Sequence, residues 1–303
     1  MAERIQSYIA ELTGRCNAKC SFCYSISYDS TLALPKKEIF SSKEWMKGLE
    51  NIVENGAEIV DFSGGEPTIH PNFSDVMKKA KELGLYVIVS TNGSTINNDR
   101  IRNSIEDYVD CLSLSVHGVG EVHDSAMKRK GSYQEAIKLL NYFKKSKSIK
   151  VNSVVFQENI REIYRVGEII GVEDNSFTWK VIQMIPREAG LQNKQLLEIT
   201  YEDFQGLQEE LVKKFPRSYT DGRLVFRDDD SKTSRHGLVP YIISDSSGQL
   251  HIPFGEQHLD IGVSILDPNL VERVKEKLKS YEEFSKSVKE NHEKSYGNLR
   301  EEN

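Results

Sequence analysis

Short β-branched runs alternate with amphipathic segments from the N-terminus to about residue 186, each pair filling about 25 to 30 residues, as repeated strand and helix units do. The runs Ser7–Leu12, Glu58–Phe62, Tyr86–Ser90, Cys111–Val116, Lys150–Phe156 and Phe177–Ile185 read as six strands. Between them, Ser41-Ser-Lys-Glu44 and Ser132-Tyr-Gln-Glu135 fit the capping box, in which Ser and Glu side chains satisfy backbone N–H groups at a helix start. Behind the second box, Tyr133, Ile137, Leu140 and Phe143 recur at helical spacing and would bury as one stripe against the sheet. Parallel strands joined by right-handed helical crossovers curl into an open sheet or a barrel. The expected fold class is therefore α/β, a partial (β/α)6 barrel of the TIM type over residues 5–190.

After Pro186 the pattern changes. Residues 191–290 read as an α+β extension that covers the barrel: a helix after the Thr200 cap, a polar loop over Arg227–His236, and a hairpin over Tyr241–Ile252 turning at Ser247-Gly248. A final helix follows, carrying Leu270, Val274, Leu278, Tyr281, Phe284 and Val288, and residues 291–303 form a polar tail expected to fray.

Composition narrows the classes. The 303 residues carry 40 Lys and Arg against 46 Asp and Glu, a formal charge of −6, with 38% hydrophobic residues. A mild acidic excess without a basic block argues against extended nucleic-acid binding or charge-driven binding to anionic lipid. No apolar run approaches the roughly eighteen residues of a membrane span. The opening Met1-Ala2-Glu3-Arg4 lacks the apolar stretch of a secretory signal, so a cytoplasmic location is expected.

Three of the four cysteines fall in one run, Arg15-Cys-Asn-Ala-Lys-Cys-Ser-Phe-Cys-Tyr24. In a reducing compartment such clustering points to thiolate ligands rather than disulfides. A structural zinc site normally takes four protein ligands, whereas a cubic iron–sulfur cluster can leave one iron open for a small molecule. Cys111 opens an alternating strand and reads as a small buried thiol. Other notable residues fall where a barrel keeps its functional loops, beyond the strand ends: Ser63-Gly-Gly-Glu-Pro67, Thr91-Asn-Gly93 and His117-Gly118.

Together, the Cys-x3-Cys-x2-Cys run with Phe22 and Tyr24 beside its last cysteine, and the Gly-Gly-Glu-Pro segment after the second strand, resemble the radical S-adenosylmethionine (SAM) superfamily. The resemblance implies that Cys16, Cys20 and Cys23 hold a [4Fe–4S] cluster whose open iron binds SAM. Reductive cleavage to methionine and a 5′-deoxyadenosyl radical would then abstract hydrogen from a substrate. It further implies that Gly64 and Gly65 bring backbone close to the SAM amine, with Glu66 contributing acceptor charge. Ser115 and Asn152 look like ribose or carboxylate contacts, Arg129 like a partner of the SAM carboxylate, and Asn92 like a weaker contact in an Asn-Gly turn. A small-molecule substrate and an electron donor such as flavodoxin or ferredoxin complete the implied set.

Several segments are similar to viperin and its prokaryotic relatives, which dehydrate nucleoside triphosphates: Lys150-Val-Asn-Ser-Val154, Thr178-Trp-Lys-Val-Ile-Gln183, Tyr241-Ile-Ile-Ser-Asp245 and Leu259-Asp-Ile-Gly-Val263, in the same order. On that comparison Lys150 and Lys180 face substrate phosphates, and Tyr241 returns a hydrogen atom to the product radical. The chain departs from the pattern at Pro253-Phe-Gly-Glu-Gln-His258, where the family has a basic stretch, and at Asp61, where it has Asn. Radical SAM modification of a peptide or another small metabolite is the alternative, and a non-enzymatic metal-binding scaffold the remote one.

Overall fold

The computed structural model describes residues 6–29, 34–35, 40–227, 242–254 and 257–279. All six expected strands form, as β1 (Ser7–Thr13), β4 (Ile59–Gly64), β5 (Tyr86–Thr91), β6 (Cys111–Ser115), β7 (Ser148–Val155) and β8 (Thr178–Gln183). They pair in parallel in that order. A small antiparallel pair, β2 (Tyr28–Asp29) and β3 (Leu34–Pro35), lies between the first two.

The sheet does not stop at the expected boundary near residue 190. The strand β9 (Leu224–Arg227) adds in parallel beside β8, and β10 (Ile243–Ser244) adds in parallel beside β1. The edges of a six-stranded parallel sheet leave rows of backbone N–H and C=O unpaired, and these two segments satisfy them. The antiparallel strands β11 (Gln249–Phe254) and β12 (Gln257–Ser264) extend the β10 side. Among the described residues β9 pairs with β8 alone, so the sheet stays open and the fold is a partial barrel. The expected hairpin turn is present, with Gly248 at φ +77°. The final helix is described from residue 270 to 279, and the expected tail lies outside the described residues.

Most of the helices cover one face. Besides the final helix, they are α1 (Ser42–Glu54), α2 (Phe73–Glu82), α3 (Asp99–Tyr108), α4 (Glu121–Met127), α5 (Ser132–Phe143) and α6 (Tyr164–Ile170), then α7 (Ala189–Gln192), α8 (Lys194–Leu197), α9 (Tyr201–Lys214) and α10 (Pro216–Thr220), of which α4, α7 and α8 border the cysteine loop. Strand side chains alternate between faces. Tyr8, Ala10, Leu12, Val60, Phe62, Val87, Val89, Leu112, Leu114, Val151, Trp179 and Val181 form one buried core with helix residues such as Trp45, Met77, Ile105 and Leu139. The intervening positions face the other side, the lumen, and many are polar: Glu11, Asp61, Ser63, Ser90, Ser113, Lys150, Asn152 and Lys180.

Of the two expected capping boxes one forms. The Ser41 hydroxyl accepts from the Glu44 backbone, and the Glu44 carboxylate accepts from the Ser41 backbone. A box of the same kind joins Thr200 and Asp203 at the start of α9. At Ser132 the box does not form: Gly131 is the cap residue, the Ser132 hydroxyl donates to Asp124 at 2.9 Å, and Glu135 pairs with Arg129. The long-range partner outcompetes the local one. The buried stripe of α5 is accordingly Ala136, Leu139, Leu140 and Phe143, with Tyr133 and Ile137 at its margin. Replacing Ser41 by Ala should cost about 1 kcal/mol of stability, measured as a lower urea midpoint; an unchanged midpoint would show that the cap contributes nothing.

Candidate functional site

The loop of residues 14–27 carries the three cysteines and is fastened from every side. On β1, the buried Glu11 carboxylate accepts from the Ser25 hydroxyl at 3.1 Å and from the backbones of Ile26 at 3.1 Å and Ser27 at 2.8 Å. The buried Tyr28 hydroxyl donates to the Ala18 carbonyl at 2.8 Å. From α4 the Met127 carbonyl accepts from the Lys19 backbone at 3.1 Å, and from α7 the Ala189 backbone donates to the Cys23 carbonyl at 3.2 Å. Phe22 packs in a separate apolar cluster with Ala126, Phe156, Met184 and Leu197, its ring 4.8 Å from that of His117.

The tightest fastening comes from β4. Gly65 donates to the Thr13 carbonyl at 2.8 Å and Glu66 to the Arg15 carbonyl at 2.7 Å. A Cβ on Gly65 would stand 2.0 Å from the Arg15 oxygen, and one on Gly64, whose φ is +122°, 2.5 Å from the Thr13 oxygen. Both glycines therefore let the loop after β4 lie against the cysteine loop. The Glu66 side chain is fully buried. Its carboxylate accepts from Thr68 at 3.1 Å (backbone) and 2.5 Å (hydroxyl), from the Thr91 hydroxyl at 2.7 Å and from the Asn92 backbone at 2.8 Å. Burial raises its pKa, and these donors oppose the rise. Asn92 then bridges back, its amide donating to Asn17 at 3.0 Å.

Around the lumen, Ser115, Asn152 and Lys180 share one level on adjacent strands. The Asn152 amide nitrogen donates to Ser113 at 2.8 Å, while its buried carbonyl oxygen and the buried Ser63 hydroxyl have no partner within the chain. Unpaired buried acceptors and donors of this kind are costly unless a ligand meets them. Arg129 is half-buried and forks onto both oxygens of Glu135, so its expected anion-pairing geometry is taken by the protein's own carboxylate. Lys150 and Lys180 come within electrostatic reach of each other and of Asp61. Tyr241 lies outside the described residues.

Two groups escaped the sequence reading. Arg227, expected at the start of a polar loop, ends β9 instead; the Leu224-x-Phe226 alternation before it is the available signal, and its charge reaches Lys180. Glu11 was passed over inside a strand, although a carboxylate in the apolar run Tyr-Ile-Ala-Glu-Leu is itself a sign of a buried partner set.

The donor set can hold a cubane. Burial, with the Glu66 and Cys23 charges, pushes the Cys16 thiol up to about 12, and burial with the other two sulfurs raises Cys20 well above its ordinary value. Three bare thiolates are thus disfavoured there, and a positively charged metal group reverses that balance. Among the described residues no three His, Cys, Asp or Glu side chains converge as the ligands of a single ion do. Three thiolates on three different irons of one cubane stand farther apart than ligands of one ion, and here the sulfurs still feel one another's charge.

Residues 10–169 match the family described as the Radical SAM superfamily. The chain belongs to this superfamily. It is 26% identical over 179 residues to the S-adenosylmethionine-dependent nucleotide dehydratase of Flammeovirga pacifica, covering 56% of this chain and 60% of that protein. A Selenomonas ruminantium protein of the same description is 24% identical over 286 residues, 86% of this chain and 96% of its own length. The crystal structure of Streptococcus suis SuiB bound to S-adenosylmethionine shares the fold, with a TM-score of 0.64 at 17% identity over 82% of this chain and 60% of that one. No described helix of this radical SAM protein is long and apolar enough to cross a membrane.

Two expectations follow from the site. Gly65→Ala should lower stability by about 2 kcal/mol or more and sharply reduce the iron retained after anaerobic reconstitution. Gly206→Ala, in α9 with open space around it, should do neither; wild-type iron content in the Gly65 variant would refute the close-approach argument. His117 and His123 are buried, their rings 5.7 Å apart, and the His123 Nδ1 accepts from the His117 backbone. Burial pushes His123 from 6.5 down to about 4 and His117 well below its ordinary value. The unfolded chain therefore binds protons that the folded chain refuses, and stability falls as pH drops below 6.5, with the His123 share levelling out under about 4. His123→Gln should reduce the loss between about pH 7 and about pH 5 by on the order of 1 to 2 kcal/mol, read from urea midpoints; an equal loss in both proteins would assign it elsewhere.

Proposed function

We propose that this chain is a radical SAM enzyme acting on a nucleotide seated in the barrel lumen, with dehydration of the viperin-like kind as its reaction. The observation that carries the reading is the row of cations Lys150, Lys180 and Arg227 rising along the β7, β8 and β9 wall, with the unpaired Asn152 carbonyl level with Lys180 and the unpaired Ser63 hydroxyl on β4. Charged nitrogen donors in a partly enclosed site suit phosphate. The dehydratase from Selenomonas ruminantium, matched over nearly its whole length, supports the same substrate class.

When bound, a [4Fe–4S] cluster on Cys16, Cys20 and Cys23 supplies the electron that splits SAM into methionine and a 5′-deoxyadenosyl radical able to take hydrogen from the substrate. The residues of the chain do the rest. Glu11, Tyr28 and the Gly64-Gly65-Glu66 segment hold the cysteine loop at a set height over the lumen. Ser63, Ser115 and Asn152 offer polar atoms to SAM, and the lysines fix the substrate beside it. The cysteines are half-buried rather than enclosed, with exposed Lys19 and Lys128 beside them, and the Lys128 charge reaches Cys20. A positive rim of this sort suits an acidic one-electron carrier such as flavodoxin or ferredoxin.

Incubating the reconstituted protein with SAM, a strong reductant and the mono-, di- and triphosphates of the common nucleosides should stimulate 5′-deoxyadenosine release with at least one of them. Lys150→Ala and Lys180→Ala should each raise the nucleotide KM by about tenfold or more. No stimulation by any nucleotide would reject the substrate class and favour a peptide or another metabolite.

A further inference from the structure

The lumen wall is graded. Lys150 on β7 is level with Ser113 on one side and Thr178 on the other. Lys180 sits one strand over and two residues higher, level with Asn152 and Val225. Arg227 sits one strand and two residues beyond that. Two residues of strand advance about 6.6 Å and neighbouring strands lie about 4.8 Å apart. Successive cations are therefore rooted about 8 Å apart along a rising diagonal.

Across the lumen stands Asp61 on β4, fixed by the Ser90 hydroxyl at 2.8 Å. Burial lifts its pKa, but the Ser90 bond and the two lysines favour its charged form, and Asp61 in turn supports the charge on Lys180. Among the described lumen residues of β4 to β9, three cations against one carboxylate leave two positive charges; the other lumen carboxylate, Glu11 on β1, is engaged by Ser25, Ile26 and Ser27 of the cysteine loop. A phosphate monoester carries about −1.5 to −2 at neutral pH, and each further phosphate adds about one more negative charge. One phosphate balances the wall. A longer chain adds charge that the wall does not match and brings it toward a fixed carboxylate, where like charges repel.

The geometry points to a lumen built for a single phosphate group, with Asp61 as the residue that excludes polyphosphates. This deepens the nucleotide reading and rests on it for the organic part of the substrate, while the phosphate count rests on Asp61, Lys150, Lys180 and Arg227 alone. An aspartate within reach of two lysines supplies the repulsive element that discriminates against added charge, and an uncharged side chain there would remove the discrimination.

Calorimetric titration of the reconstituted, SAM-loaded protein tests this without turnover. The probes are one nucleoside as its mono-, di- and triphosphate, plus inorganic phosphate and tripolyphosphate. The wild type should bind the monophosphate at least about tenfold more tightly than the triphosphate, and phosphate more tightly than tripolyphosphate. Asp61→Asn keeps the shape and an acceptor for Ser90; it should tighten triphosphate and tripolyphosphate by about tenfold while moving the monophosphate little. An unchanged thermal midpoint would show that the variant folds. Tighter wild-type binding of the triphosphate, or equal shifts for all probes in the variant, would overturn the inference. If the nucleotides fail but inorganic phosphate binds more tightly than tripolyphosphate and only tripolyphosphate tightens in Asp61→Asn, the nucleotide reading falls and the single-phosphate site stands; if phosphate also fails to bind, both fall.

Discussion

The structure turns on the contact between two stretches of backbone, Gly64-Gly65-Glu66 after β4 and Thr13 to Cys16 after β1. Two hydrogen bonds join them, from Gly65 to Thr13 and from Glu66 to Arg15, at a separation that admits no Cβ on either glycine. That contact sets the height of the cysteine loop above the sheet. Much else that holds the loop is arranged around buried carboxylates. Glu11 gathers donors from residues 25 to 27, and Glu66 gathers donors from Thr68, Thr91 and Asn92. A buried carboxylate is costly when bare and firmly anchoring when several donors meet it. The two acids thus convert a burial penalty into fixed geometry exactly where no secondary structure supplies it, because loop residues lack ladder partners.

The same two-residue alternation that builds the core also builds the chemistry. One face of each barrel strand gives its apolar side chains to the helices, and those residues carry the stability. The opposite face is free of that duty. Parallel strands buried on both faces usually read as continuous apolar runs; here Asp61, Ser90, Ser113, Lys150, Asn152 and Lys180 interrupt them. Polar positions on an inward face need partners, and the chain supplies some of them internally, as in Asp61 with Ser90 and Asn152 with Ser113. The unmatched remainder is the Ser63 hydroxyl and the Asn152 carbonyl. Selectivity can therefore change by substitution on this face without disturbing the fold.

Where the sequence reading and the structure part, the cause is competition between near and distant partners. Ser41 with Glu44 and Ser132 with Glu135 have the same spacing, yet the second pair is broken because Asp124 and Arg129 lie within reach in three dimensions. Arg129 itself forks onto Glu135, the partner that the second box would have used. Beyond residue 190 the sheet grows further: edge strands attract any extended segment able to pair, so β9 and β10 join from the far part of the chain.

Sequence alone determined the order of strands and helices, the cysteine trio, the diglycine turn and the superfamily, because period, cap and motif are set by residues a few positions apart. It also named Lys150, Lys180 and Asn152. Tertiary structure decided which of these share a level, which acid faces which base, and that Arg227 stands on the lumen wall and Glu11 under the cysteine loop. Register between strands is fixed by hydrogen bonds between residues separated by dozens of positions, and no local pattern encodes a distance across a barrel.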